Sequence, residues 1–168
     1  MDVVTIGKLT QVCATLFTDV YKPKSGLISQ TFTASSAAIY AARAILKELL
    51  TGGYLGKNGK IIKQSKHFVR RLQEFAHRYP NYLQGPFGMG AMIGCTVFDG
   101  SEEINKIFLK ELFEAGVVAF NAGHSPTRVR FLMPIGAVTF KDIDNVCKII
   151  EKTLTKVADQ INLKNRGH

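Results

Sequence analysis

The sequence predicts an α+β fold: a three-stranded antiparallel sheet packed by helices, with a piece of a second sheet ahead of it. Three observations carry this expectation. Apolar residues recur at helical spacing in four separate segments. Three short β-like runs, 91–98, 117–120 and 129–132, fall among the last three of those segments. The opening run Val3, Val4, Thr5, Ile6 is β-branched, ends on Gly7 and has no obvious strand beside it to pair with.

The elements follow in chain order. Residues 2–6 read as a strand, with Lys8 just past its tip, and "YKPKSG" at 21–26 reads as a loop after an irregular stretch. Ser35 or Ser36 can cap a helix running to about Leu50, rich in alanine, with Ile39, Ile45, Leu46 and Leu49 on its apolar side and Gly52 and Gly53 at its end. The next helix, in "GKIIKQSKHFVRRLQEFAHRYP", gathers Ile61, Ile62, Phe68, Val69, Leu72, Phe75, Ala76 and Tyr79 on one face, with Ser65 among them. Pro80 ends it.

The glycine-rich "GPFGMGAMIGCTVFDG" holds the first strand of the main sheet, bulged or twisted by its glycines, and turns at Asp99–Gly100. Ser101 caps a helix whose first turn carries Glu102 and Glu103, with Ile104, Ile107, Phe108, Leu112 and Phe113 as its inner face. The loop "NAGHSPTR" separates the last two strands. Thr139 and Asp142 have capping-box spacing ahead of a final helix that buries Ile143, Val146, Ile150, Leu154 and Val157. "NLKNRGH", 162–168, reads as a polar tail.

Composition narrows the function classes. With 168 residues, 46% hydrophobic and 21% charged, the chain has the balance of a water-soluble globular protein. No apolar run reaches the length of a membrane span, and the start lacks the basic-then-apolar pattern of a secretory signal. Cys13, Cys95 and Cys147 are odd in number and widely spaced, and they form no metal-ligand spacing with the four histidines. These features point to reduced thiols in the cytoplasm and to no metal and no membrane partner. The net charge is +9, but Lys60, Lys63, Lys66, Arg70 and Arg71 concentrate it on the solvent side of one helix. That is a solvated face rather than a nucleic-acid site, and no nucleic-acid partner is expected.

A few residues stand out for chemistry. Lys8 follows a strand and a glycine that lets other groups approach closely, which suits an amine nucleophile as well as a surface lysine. Alternation along "TRVRFL" puts Val129 and Phe131 on one face and Arg128, Arg130 and Leu132 on the other. Arg130 therefore needs a carboxylate, from the protein or from a substrate, and the residues alone do not choose between the two. Thr31 and Thr33 precede a helix, where capping or phosphate contact is open to them, capping being the simpler. His124, in the glycine-containing loop, has neither base nor metal partner in view.

Taken in order, "DVVTIGK" with "TQVC", "TFTASSAAIYAARAILKELL", "GPFGMGAMIG", "LFEAGVVAFNAG" and "TRVRFLMPIGAVTFKDID" resemble the C-terminal part of a class III aminotransferase of fold type I. The "GKLTQVC" segment is most similar to lysine 6-aminotransferases and other omega-aminotransferases, and the resemblance covers nearly all of residues 2–157. It implies pyridoxal 5'-phosphate as cofactor, and a small-molecule amino donor and a 2-oxo acid as substrates. Lys8 would be the lysine that forms the internal Schiff base and shuttles the proton. Thr31 would reach the cofactor phosphate of the neighbouring subunit in a homodimer, although "TASSAA" departs from the glycines, asparagine and proline usual there. Arg130 would engage a substrate carboxylate or a nearby glutamate, and "RFLMPIG" keeps one proline of the usual pair.

The resemblance also sets the expected domains: 1–34 as a remnant of the large cofactor-binding α/β domain, 35–161 as the small domain, and 162–168 as the tail. The family's phosphate-binding glycine loop, stacking aromatic and ring-nitrogen aspartate all precede the lysine. The chain is therefore expected to be a fragment that is inactive alone. The competing expectation is a non-catalytic interaction module that keeps the small-domain fold.

Overall fold

In the computed structural model, residues 2–27 and 35–166 are described, with side chains as far as 162. The chain divides into two compact units, Met1–Leu55 and Gly56–His168. The sequence reading put its boundary after residue 34. Here the helix that follows groups with the leading strand.

In the first unit the leading strand β1, Val3–Ile6, is not alone. It pairs antiparallel with β2, Ala14–Phe17, in register from Val3 opposite Phe17 to Ile6 opposite Ala14. A short 3-10 turn, Lys8–Thr10, lies in the connection. Helix α1, Ser36–Thr51, starts where expected: the Ser35 hydroxyl accepts the Ala38 N–H at 3.1 Å. It lies against the 3-10 turn. Of its residues only Ala42 is buried, while Ile39, Tyr40, Leu46 and Leu50 are exposed.

The second unit has the expected α+β, antiparallel architecture, with a fourth strand added. Helix α2, Lys60–Arg78, precedes β3, Leu83–Met89, and β4, Met92–Val97. Helix α3, Glu102–Glu114, comes next, then β5, Phe120–Ala122, and β6, Arg128–Leu132. Helix α4, Phe140–Arg166, closes the chain and continues into the stretch read as a polar tail. The sheet order is β3-β4-β6-β5, antiparallel throughout.

The added strand is β3. "LQGPFGM" holds two glycines and a proline, so no local preference announces it. Pairing supplies what propensity lacks. β3 is an edge strand, where a proline costs no ladder bond, and a bulge between Gln84 and Phe87 absorbs the irregular residues. Gly90, at φ +61, opens the two-residue hairpin loop between Met89 and Met92, the place where a tight hairpin requires glycine.

The core lies between one face of this sheet and the helices. Phe68, Leu72 and Phe75 of α2, Ile93, Cys95 and Val97 of β4, and Val129 and Phe131 of β6 are buried. Phe108 and Leu112 of α3 and Ile143, Ile150, Leu154 and Val157 of α4 complete it. Burying each large side chain contributes about 1.5–3 kcal/mol.

Two details differ from expectation. Phe113 is 67% exposed, because it sits ~140° around the helix from Phe108. Asn105, outside the expected inner face, is instead fully buried and joined through its amide to Asn121 of β5. Arg71 is half-buried rather than free in solvent, bridging Glu74 (2.9 Å) and Asp144 of α4 (3.2 Å). Among the described residues no helix is long and apolar enough to cross a membrane.

Candidate functional site

Strand β1 delivers Lys8 in an unusual backbone state. Gly7 is extended, and Lys8 then takes φ 55, in the left-handed region that costs a non-glycine residue roughly 1–2 kcal/mol. Its carbonyl is held in place: it accepts the Gln11 N–H at 2.9 Å and the Gln11 side-chain amide at 3.3 Å. The side chain is left exposed, and among the described residues it forms no ion pair.

The glycine before it has a local reason. A Cβ on Gly7 would stand 3.0 Å from the Cys13 sulfur, so the missing side chain lets the start of the returning strand come close. A non-glycine residue held at positive φ by its neighbours marks a position worth a functional hypothesis.

Arg130 lies in the second unit, in a single row across the sheet: Phe87 of β3 opposite Gly94 of β4, Gly94 opposite Arg130 of β6, and Arg130 opposite Phe120 of β5. The row is on the face away from the core, since Val129 and Phe131 alternate with Arg130 and are buried. The Arg130 guanidinium lies 5.9 Å from the Phe120 ring centroid. Arg128, one pleat away on the same face, lies 4.9 Å from the Phe87 ring centroid. Both are half-buried, both carry a buried Nε with no hydrogen-bond partner, and among the described residues neither meets a carboxylate. Stacking on an aromatic face stabilises a guanidinium modestly and leaves its fork free for an anion.

The sequence singled out Arg130 but not Arg128. The signal was present, since alternation alone puts both on one face. What it could not give was the shared lack of an acidic partner.

The remaining candidates contribute less. Thr31 and Thr33 lie outside the described residues. His124 is exposed in the loop between β5 and β6. No group of three or more His, Cys, Asp or Glu among the described residues could hold a metal ion. Burial pushes the Cys95 thiol up to about 12, with Cys147 adding to the effect, and pushes Cys147 itself up to about 12. Neither is a nucleophile in that state. An apolar hollow of about 200 Å³ lies among Phe68, Val117, Phe131, Pro134 and Val146, and its one acid, Asp142, is committed to the cap of α4.

The residues present suit one end of pyridoxal phosphate. Lys8 offers an exposed primary amine, without an ion pair among the described residues, on a fixed backbone, which is what an aldehyde partner requires. The described residues include no aspartate beside it for a ring nitrogen and no glycine loop for a phosphate.

Known proteins resemble the chain in sequence and in fold. The family model "Aminotransferase class-III" matches residues 3–154. An acetylornithine aminotransferase of Methanocaldococcus jannaschii is 30% identical over 125 residues, covering 74% of this chain and 27% of that protein. A lysine aminotransferase from M. tuberculosis matches in structure with a TM-score of 0.80 at 21% identity, over 93% of this chain and 36% of that one. A transaminase from the marine bacterium Virgibacillus matches with a TM-score of 0.66 at 13% identity, over 80% of this chain and 32% of that one. The two structural matches speak for the fold. The chain thus spans about a quarter to a third of the length of these proteins.

Proposed function

The chain belongs to the class III aminotransferases, and from that premise we propose that it is the C-terminal part of an enzyme passing an amino group, often a terminal one, from an amino acid or amine to a 2-oxo acid. Lys8 is the residue that attaches pyridoxal 5'-phosphate. The observation that carries this reading is the backbone of Lys8: a lysine at φ 55, fixed through its carbonyl, with an exposed amine just past the end of a strand.

The division of labour follows from the residues. When bound, the cofactor supplies an electron sink for the substrate carbon that loses its proton. Lys8 Nζ would hold it covalently and, once the substrate's own amine took its place, would accept the proton from that carbon and return it to another atom. Arg130 binds the substrate carboxylate through its fork. Thr31, by the family resemblance, would help hold the cofactor phosphate of the neighbouring subunit in a homodimer. The remaining phosphate and ring-nitrogen contacts come from the part of the relatives' length that this chain does not span. For that reason the 168-residue chain by itself is expected to turn over little or no substrate.

Reductive trapping tests the reading. The chain is mixed with pyridoxal phosphate, alone and with the N-terminal part of a class III aminotransferase supplied as a second polypeptide, then reduced with borohydride and mapped by peptide mass spectrometry. Labelling of Lys8 ahead of the other lysines, lost in Lys8→Ala, supports it. Indiscriminate labelling in both arms overturns it.

A further inference from the structure

We propose that His67 is a proton-operated latch at the contact between α2 and α4. Neutral, it closes a ring of five side chains through Arg70; protonated, it releases Arg70 and keeps its hold on Asp144. The inference is independent of the roles given to Lys8 and Arg130.

The ring runs along α2 and returns by way of α4. His67 Nε2 lies 2.9 Å from Asp144 Oδ1. The same oxygen forms an ion pair with Arg71 Nε at 3.2 Å. Arg71 Nη1 donates to Glu74 Oε2 at 2.9 Å, and Arg70 Nη1 donates to Glu74 Oε1 at 2.7 Å. Arg70 Nη2, 3.3 Å from His67 Nδ1, closes the ring. His67 also meets the Phe140 ring edge-on, with centroids 5.1 Å apart. Nearly one turn earlier on α2, the Gln64 amide donates to the Val138 carbonyl at 2.7 Å. The latch therefore bears on residues 138–144, which lead from β6 into α4.

One of the five links needs an unprotonated nitrogen. A guanidinium only donates, and an ionised carboxylate only accepts. A neutral imidazole between them fits in one way: its proton on Nε2, toward Asp144, and its lone pair on Nδ1, toward Arg70. A second proton, on Nδ1, sets donor against donor and cation against cation. Arg70 yields, because its side chain is 58% exposed and Glu74 still holds its other nitrogen. The bond to Asp144 becomes charge-assisted and strengthens. The other charges about one turn away, Lys63 on α2 and Lys141 and Lys148 on α4, are exposed and pair with no member of the ring. The Cys147 thiol, which feels Arg71, Asp144 and Glu74, is pushed up to about 12 by burial and stays neutral throughout.

The test follows the full chain by NMR from about pH 8 to about pH 5, where imidazoles titrate and carboxylates stay ionised. The probes are the His67 ring nitrogens and the rotation rate of the Arg70 guanidinium about its Nε–Cζ bond. As His67 takes up its proton, that rotation should speed up about tenfold, as for one lost hydrogen bond, along the same curve as the ring nitrogens. The Nε2 proton of His67 should stay protected from exchange at both ends of the range, and Arg71 should keep its slow rotation. A charge acting through space shifts the Arg70 resonances without freeing the group, so the rate separates the latch from simple proximity. In His67→Gln the Arg70 rate should no longer depend on pH over this range. A flat Arg70 rate across the His67 titration, an unchanged pH response in His67→Gln, or loss of Nε2 proton protection on acidification overturns the proposal.

Discussion

The guanidinium carbon of Arg128 lies 4.9 Å from the ring centroid of Phe87, two strands away, and reaches it over β4 where Gly94 has no side chain. Gly94 is kept for space rather than for backbone freedom. A Cβ there would find its nearest neighbour, the Val129 carbonyl oxygen, at an ordinary 3.6 Å. Gly94→Ala should therefore change stability by less than about 1 kcal/mol. Gly94→Leu should block the crossing, which would be read as loss of the ring-current shift on the Arg128 side-chain protons. An unchanged shift in the leucine variant would refute this account of the glycine.

Lys8 sits at φ 55, a conformation that glycine adopts freely and alanine does not. Lys8→Gly should leave the β1–β2 hairpin more stable than Lys8→Ala by about 1 kcal/mol. Amide hydrogen exchange in Val3–Ile6 reports this locally, with slower exchange expected in the glycine variant. Both variants should lose cofactor labelling. A hairpin equally stable in the two would mean that the backbone there is unstrained.

The α4 cap is reciprocal: Thr139 N–H and hydroxyl donate to Asp142 Oδ2 at 2.8 and 2.7 Å, and Asp142 N–H donates to the Thr139 hydroxyl at 3.2 Å. Thr139→Ala should cost about 1 kcal/mol. The Thr139 backbone N–H, then its hydroxyl, hold the Asp142 carboxyl below its ordinary value of 3.8. A carboxylate with a lowered folded value stabilises above the unfolded value and stops doing so as pH falls through the folded one. Urea midpoints should therefore fall on acidification from just above 3.8 downward, and that part of the fall should be missing in Asp142→Asn. An identical acid limb in the two proteins would contradict the cap's role.

The three thiols should separate cleanly. Cys13 is exposed, whereas Cys95 and Cys147 are buried and raised to about 12. At pH 8 that leaves roughly one thiolate in ten thousand at each buried site. Brief alkylation of the native chain should modify Cys13 and leave Cys95 and Cys147 until denaturant is added. Rapid labelling of Cys147 in native buffer would show that the packing between α2 and α4 is looser than described.

Some of this was written locally. The cap residues Ser35, Ser101 and Thr139 start their helices where the sequence put them, because a cap is decided within four residues. The apolar rows of α2 and α4, the α+β class and the isolated Lys8 after its strand were legible for the same reason: periodicity and spacing are local quantities. Long-range partners decided the rest. β2 and β3 are strands because β1 and β4 pair with them, and neither "ATLF" nor "LQGPFGM" says so alone.

Tertiary packing also chose Asn105 over Phe113 for the interior, through an amide partner sixteen residues further along the chain. The sequence determined that Arg128 and Arg130 share a face. Only the folded sheet decided that each would stack on an aromatic of a different strand, with no acid among the described residues paired to it, because pairing across strands depends on register and not on the residues of one strand.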